Sequence, residues 1–166
     1  EFLSDPPNPT GDANRDGTLD FSQDEFIELL NVSEADFDLS GYEIHDAVGL
    51  RHTFPAGTSL AAGRAIVVFG GGSPAGSFGG SLVQTASTGF LGFNNGGDTI
   101  SLKTPGGGST LLEVIYDGSV QDEAMSRDPD GSGRFVAHSS DNGAAVDLFS
   151  PVNLVDVCDF DLAVPI

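Results

Sequence analysis

The chain has 166 residues, 39% of them hydrophobic, and sets 25 acidic residues against six basic ones for a formal net charge of −19. That length and apolar content suit one domain around one core and exclude wholesale disorder. The charge repels phosphate backbones and anionic membrane surfaces, so strong direct nucleic-acid binding is not expected. Such acidity fits salty or extracellular surroundings, where screening weakens the self-repulsion. Twenty-three glycines and nine prolines supply tight turns in quantity and break long helices. Cys158 is the only cysteine, so no internal disulfide and no paired-cysteine metal motif can form. His45, His52 and His138 are scattered, without the spacing of zinc ligands. No apolar run reaches the roughly 18 residues of a membrane-spanning helix.

In chain order, Glu1-Phe2-Leu3 already reads as strand, as expected of a segment cut from a longer protein. Residues 5–20 are polar and turn-like, with Pro6, Pro7 and Pro9 opposing regular structure. The run Asp24 to Asn31 fits two periods: Phe26, Leu29 and Leu30 share a helical face, whereas Ile27 and Leu29 share one face of a strand. Its early end at Asn31 favours the strand. Short strands are expected at Tyr42–Asp46 and at His52-Thr53-Phe54, the latter stopped by Pro55-Ala56-Gly57. Arg64 to Phe69 is β-branched and apolar on both faces, the pattern of a fully buried strand. Glycine-rich loops follow from Gly70 to Gly80. Asp98–Leu102 alternates, and Leu111–Tyr116 is placed to pair with it across Pro105-Gly106-Gly107-Gly108. Short strands with turn signals between them predict an all-β antiparallel sandwich. Its core should centre on Phe26, Leu29, Leu39, Tyr42, Phe54, Ile66, Val68, Ile100, Leu102, Val114 and Tyr116. Residues 151–166 alternate apolar and acidic positions and read as a last strand or a linker to a following domain.

The sharpest local motif is Asp12-Ala13-Asn14-Arg15-Asp16-Gly17-Thr18, the opening half of a calcium loop. A hard cation wants six to eight oxygens at one point, and side chains at loop positions one, three and five converge when a glycine at six permits the sharp turn. Asp12, Asn14 and Asp16 are therefore candidate ligands, with Thr18 offering its carbonyl at position seven and Asp20 standing at position nine. Position twelve, where an EF-hand has a bidentate glutamate, is Gln23. Asp24 and Glu25 follow, so closure is expected from Asp20, Asp24 or Glu25, in a calcium-stapled loop at 12–25 that leads into a strand. The competing reading is an exposed Asn/Asp/Gly turn that needs no ion.

Other patterns point away from catalysis. Gly70-Gly71-Gly72-Ser73-Pro74 lacks the ending of a phosphate loop, and Ala75-Gly76-Ser77-Phe78-Gly79 lacks the first glycine of a nucleophile elbow. Asp128-Pro129-Asp130-Gly131 is explained by a type I turn. Asn31-Val32-Ser33 is a glycosylation sequon. Asp122 and Glu123 are adjacent, and in a strand they would face opposite ways.

Taken together, Glu25 to Asn31, Asp38-Leu39-Ser40-Gly41-Tyr42, His52 to Leu60, Gly63 to Phe69, Asn94 to Leu102, Val114-Ile115-Tyr116 and Ser126 to Gly131 resemble, in order, the lamin tail domain. This immunoglobulin-like β-sandwich is found in nuclear lamins and in bacterial secreted and surface proteins. The resemblance covers about residues 1–150. Tyr42 stands where the family usually has tryptophan, and the calcium-like loop is an insertion typical of bacterial members. The resemblance implies a non-catalytic binding or attachment module of a larger secreted or cell-surface bacterial protein, stabilised by Ca2+. Its partners would be the other domains of the parent chain and an extracellular polymer or surface ligand. The alternative is a substrate-positioning accessory domain of an extracellular nuclease or phosphoesterase.

Overall fold

The computed structural model describes residues 1–118, 121–128, 133–140 and 148–151. Within them lie β1 (Phe2–Leu3), β2 (Phe26–Leu30), β3 (Phe37–Asp38), β4 (Glu43–His45), β5 (Leu50–Thr53) and β6 (Ser59–Leu60). After these come β7 (Ala65–Phe69), β8 (Leu82–Thr85), β9 (Asp98–Lys103), β10 (Thr110–Tyr116), β11 (Met125–Asp128) and β12 (Arg134–Ala137). Single 3-10 turns at Phe78–Gly80 and His138–Ser140 are the helical pieces among the described residues. The protein is an all-β, immunoglobulin-like sandwich, as expected.

One layer is a six-stranded sheet in the order β12-β11-β1-β2-β7-β8, and the other is four-stranded, β10-β9-β4-β5, with a small β3-β6 ribbon beside them. The hairpin expected across Pro105–Gly108 forms, pairing Val114 with Ile100 and Tyr116 with Asp98. One pairing departs from the antiparallel expectation: β8 runs parallel to β7, with Val67 opposite Val83. Residues 70–81 make a crossover long enough to return the chain in the same direction, which a tight hairpin cannot do.

The strand at Phe26–Leu30 resolves the ambiguous periodicity, and its neighbour explains why the signal was mixed. Both β2 and β7 are buried at every position. Ile27, Leu29, Ile66 and Val68 face the other sheet, in a core shared with Phe2, Leu39, Ile44, Phe54, Leu60, Ile100, Leu102 and Val114. Phe26, Leu30, Ala65, Val67 and Phe69 face outward into a second cluster with Leu3, Ala13, Phe78 and Ala124. Loops rather than a third sheet cover this outer face, and the 12–25 loop is one of them through Ala13.

Ten of the eleven expected core residues are buried. Tyr42 lies at the margin, half-buried and edge-on to Phe37 with ring centroids 5.4 Å apart. The Asp122–Glu123 pair corrects the reading by strand alternation, because it occupies a turn in which Asp122 has φ 58°. Glu123 instead accepts a hydrogen bond from the Ser139 amide. The Asn31 side chain is fully buried and donates to the carbonyls of Ala35 and Leu60, both at 2.8 Å, so the sequon's asparagine is locked inside the fold while Val32 and Ser33 are exposed. The turn centred on Pro129-Asp130, Cys158 and the last strand or linker from residue 152 onward lie outside the described residues.

Candidate functional site

The 12–25 loop folds on its own side chains. Asp12 accepts from the amides of Asp16 at 3.1 Å and Gly17 at 3.0 Å, and Asn14 Oδ1 accepts from Asp16 at 2.9 Å. Asp16 accepts from Thr18 at 2.9 Å and, through its other oxygen, from the Ser73 amide at 3.0 Å. Gly17 holds φ 89°, a conformation that a side chain would strain. The side-chain oxygens at positions one, three and five thus accept from the loop's own backbone amides and from that of Ser73.

Asp24 closes the segment. It is fully buried; one carboxyl oxygen accepts from the Asn14 amide at 3.1 Å and the other from the Asp20 amide at 2.8 Å. Burial raises its pKa, the two amides oppose that rise, and the nearby charges of Asp12 and Asp16 add to it. Asp20 is turned to a different task. Its carboxylate caps its own turn, accepting from the Ser22 hydroxyl at 2.7 Å and from the Ser22 and Gln23 amides, and these bonds lower its pKa. Thr18 is exposed. Among the described residues, no three His, Cys, Asp or Glu side chains are gathered as a metal-binding group.

Glu25 has different partners: its carboxyl accepts from the Gly92 amide at 2.7 Å and borders a cleft. Burial pushes its pKa up to about 8, against the opposing pull of the Gly92 and Phe93 amides and Arg51, so it is largely protonated at neutral pH. Of the three carboxylates expected to compete for closure, Asp24 is the one hydrogen-bonded to the Asp12–Thr18 segment, through the Asn14 amide.

Two features escaped the sequence. Gly71 and Gly72, expected only as turn residues, wall the loop on one side. Gly71 accepts a 3.4 Å bond from Asn14 Nδ2, and a Cβ on Gly72 would collide with Asn14, Asp16 and Gln23. Pairing of the glycine run with the acidic motif is a contact across 57 residues that no local pattern announces. The second feature is a buried polar node. Ser126 Oγ lies 2.6 Å from His138 Nδ1, and Glu1 lies 3.7 Å from the same nitrogen. Such a trio superficially suggests acyl transfer, but serine and glutamate compete for one ring nitrogen and all three residues are buried. The other two histidines are also structural: His45 bonds Glu43 at 2.8 Å, and His52 bonds Gln84 at 2.8 Å, its pKa lowered by burial.

No curated protein matches the chain. The profile of the Lamin Tail Domain family matches residues 5–116, about two-thirds of the chain, spanning the whole four-stranded sheet and β2, β7 and β8 of the six-stranded one. That match spans well over half of the sequence, and the chain belongs to the lamin tail domain family.

Proposed function

We propose that this domain is a calcium-stabilised, non-catalytic binding and attachment module of a larger secreted or cell-surface bacterial protein. The lamin tail domain is a non-enzymatic, immunoglobulin-like family. The observation that carries the calcium reading is Asp24, a fully buried carboxylate that ties the two ends of the loop together beside Asp12 and Asp16. Asp12, Asn14, Asp16 and Asp24 would hold the ion, with the Thr18 carbonyl and Asp20 completing an oxygen-rich set that suits a hard cation. Calcium would relieve repulsion among these carboxylates and fix a loop that covers the outer core through Ala13.

Because binding only the folded state stabilises by mass action, a hundredfold excess over the dissociation constant would add about 2.7 kcal/mol. Gln23 replaces the usual anionic closing residue, so affinity in the extracellular range of about 10⁻⁴–10⁻³ M is expected. Melting curves in chelator and in millimolar calcium test the reading. The wild-type Tm should rise with calcium, Asp16→Ala should abolish the rise, and Asp128→Ala should retain it. A wild-type curve indifferent to calcium refutes the ion and leaves a self-capped turn. Attachment through other domains of the parent chain or to an extracellular polymer is favoured over nucleic-acid handling by the charge of −19.

A further inference from the structure

Beside the loop, a cleft of about 370 Å3 is lined by Ser4, Asp5, Pro6, Phe21, Ser22, Glu25 and Asn95. It draws together three distant parts of the chain: the segment after β1, the loop, and the turn before β9. Its volume falls at the small end of the usual range of ligand sites, about 300–1,000 Å3. Phe21 lies on its wall and is 55% exposed, the most exposed phenylalanine of the described residues. The ring has no partner ring there, unlike Phe90, which is covered by the Arg51 guanidinium at 4.5 Å.

The remaining walls are polar and short of cations. Asp5, Glu25 and Asn95 offer oxygen acceptors for hydroxyl protons, Asn95 also an amide donor, and Ser22 a hydroxyl oxygen whose own proton goes to Asp20. The buried Ser4 hydroxyl beneath them, with the Tyr116 hydroxyl nearby, has no well-formed hydrogen bond. A net charge of −19, with no Lys or Arg on the cleft wall, disfavours an anionic ligand. Asp5 and Glu25 are the two carboxylates on the wall, fewer than a metal-binding group of three, and an apolar ring adds no ligand. What fits is a flat, uncharged molecule with one apolar face and a rim of hydroxyls that both donate and accept. We propose that this cleft binds one pyranose residue of an uncharged glycan, its C–H face laid on Phe21 and its hydroxyls met by Asp5, Ser22, Glu25 and Asn95. The cleft shares Phe21, Ser22 and Glu25 with the 12–25 loop but none of the residues that would hold the ion, and the proposal stands whether or not that loop takes calcium.

The test is a titration of the isotope-labelled chain followed by amide NMR, with calcium at fixed millimolar concentration in every sample. The probes are cellotetraose, mannotetraose and tri-N-acetylchitotriose, with tetragalacturonate as the anionic control. At least one uncharged oligosaccharide should shift amides of residues 4–6, 21–25 and 95 saturably. Phe21→Ala should weaken that binding at least tenfold, Phe21→Tyr should retain it, and Phe90→Ala should leave it unchanged. Because Phe21 is exposed, its variants are expected to keep the wild-type amide dispersion, so that lost binding is not lost folding. No shift with any uncharged probe, equal or stronger binding of tetragalacturonate, or Phe21→Ala binding like wild type would each overturn the proposal.

Discussion

Replacing Glu25 by glutamine should make the domain more stable in a pH-dependent way. The folded carboxyl has its pKa pushed from the ordinary 4.5 up to about 8, with burial as the main cause and Asp98 adding to the rise. In the unfolded chain it ionises near 4.5. Below that pH both states are protonated and the side chain costs nothing electrostatically. As pH rises above it, the unfolded state releases the proton while the folded state keeps it, so stability falls until pH passes the folded value. The loss is about 1.4 kcal/mol per pH unit, hence roughly 3 kcal/mol by pH 7 and roughly 5 kcal/mol above pH 8. Glutamine is nearly isosteric and its Oε1 can still accept the Gly92 amide, so Glu25→Gln removes the pH-dependent cost and keeps that bond. Urea unfolding of both proteins across about pH 5–9, at constant calcium, measures the difference directly. The other acidic groups titrate in both proteins and cancel. Parallel stability curves across that window would mean that Glu25 is ionised in the folded protein and that the burial argument is wrong.

Val68→Ala should cost roughly 1–3 kcal/mol in the same assay, because it removes two methyl groups from a fully buried site paired with Ile27; a change within about 0.5 kcal/mol contradicts the packing. Gly72→Ala should destabilise by roughly 1–3 kcal/mol, since φ is 74° and the added methyl meets Asn14 and Asp16. It should also lower calcium affinity by calorimetry if the wall shapes the loop; an unaltered titration separates the two. Fluorescence anisotropy should detect no appreciable binding of duplex DNA at physiological salt, and tight binding with a steep inverse salt dependence contradicts the charge argument.

The strands legible in the sequence were those with a long apolar or alternating run, such as Arg64–Phe69 and Asp98–Leu102. The pieces that escaped are short or depend on distant partners. β3 and β6 contribute two residues each, and Leu82–Thr85 is mostly exposed, so neither carries a periodic signal. Met125–Asp128 is a polar strand that forms only because it is held between β1 and β12. In the loop, the spacing of Asp12, Asn14 and Asp16 announced the turn. The division of labour among Asp20, Asp24 and Glu25 was hidden, because it depends on which side of the chain meets the sheet. Burial of Glu25 could be suspected only from its place at the mouth of an apolar run.

The position of β1 has a consequence for how the domain is assembled. Phe2 sits between Ile27 on one side and Met125 on the other, so the second residue of the chain is in the middle of a sheet. One of those pairings closes over a short stretch, whereas the other must wait until nearly the whole domain has been synthesised. Until then β1 presents an open edge to whatever else is nearby. A fragment trimmed at residue 116, where the family match stops, would keep that edge open permanently, lacking both β11 and β12. Expression of the domain in isolation therefore has to carry the chain at least through Ala137.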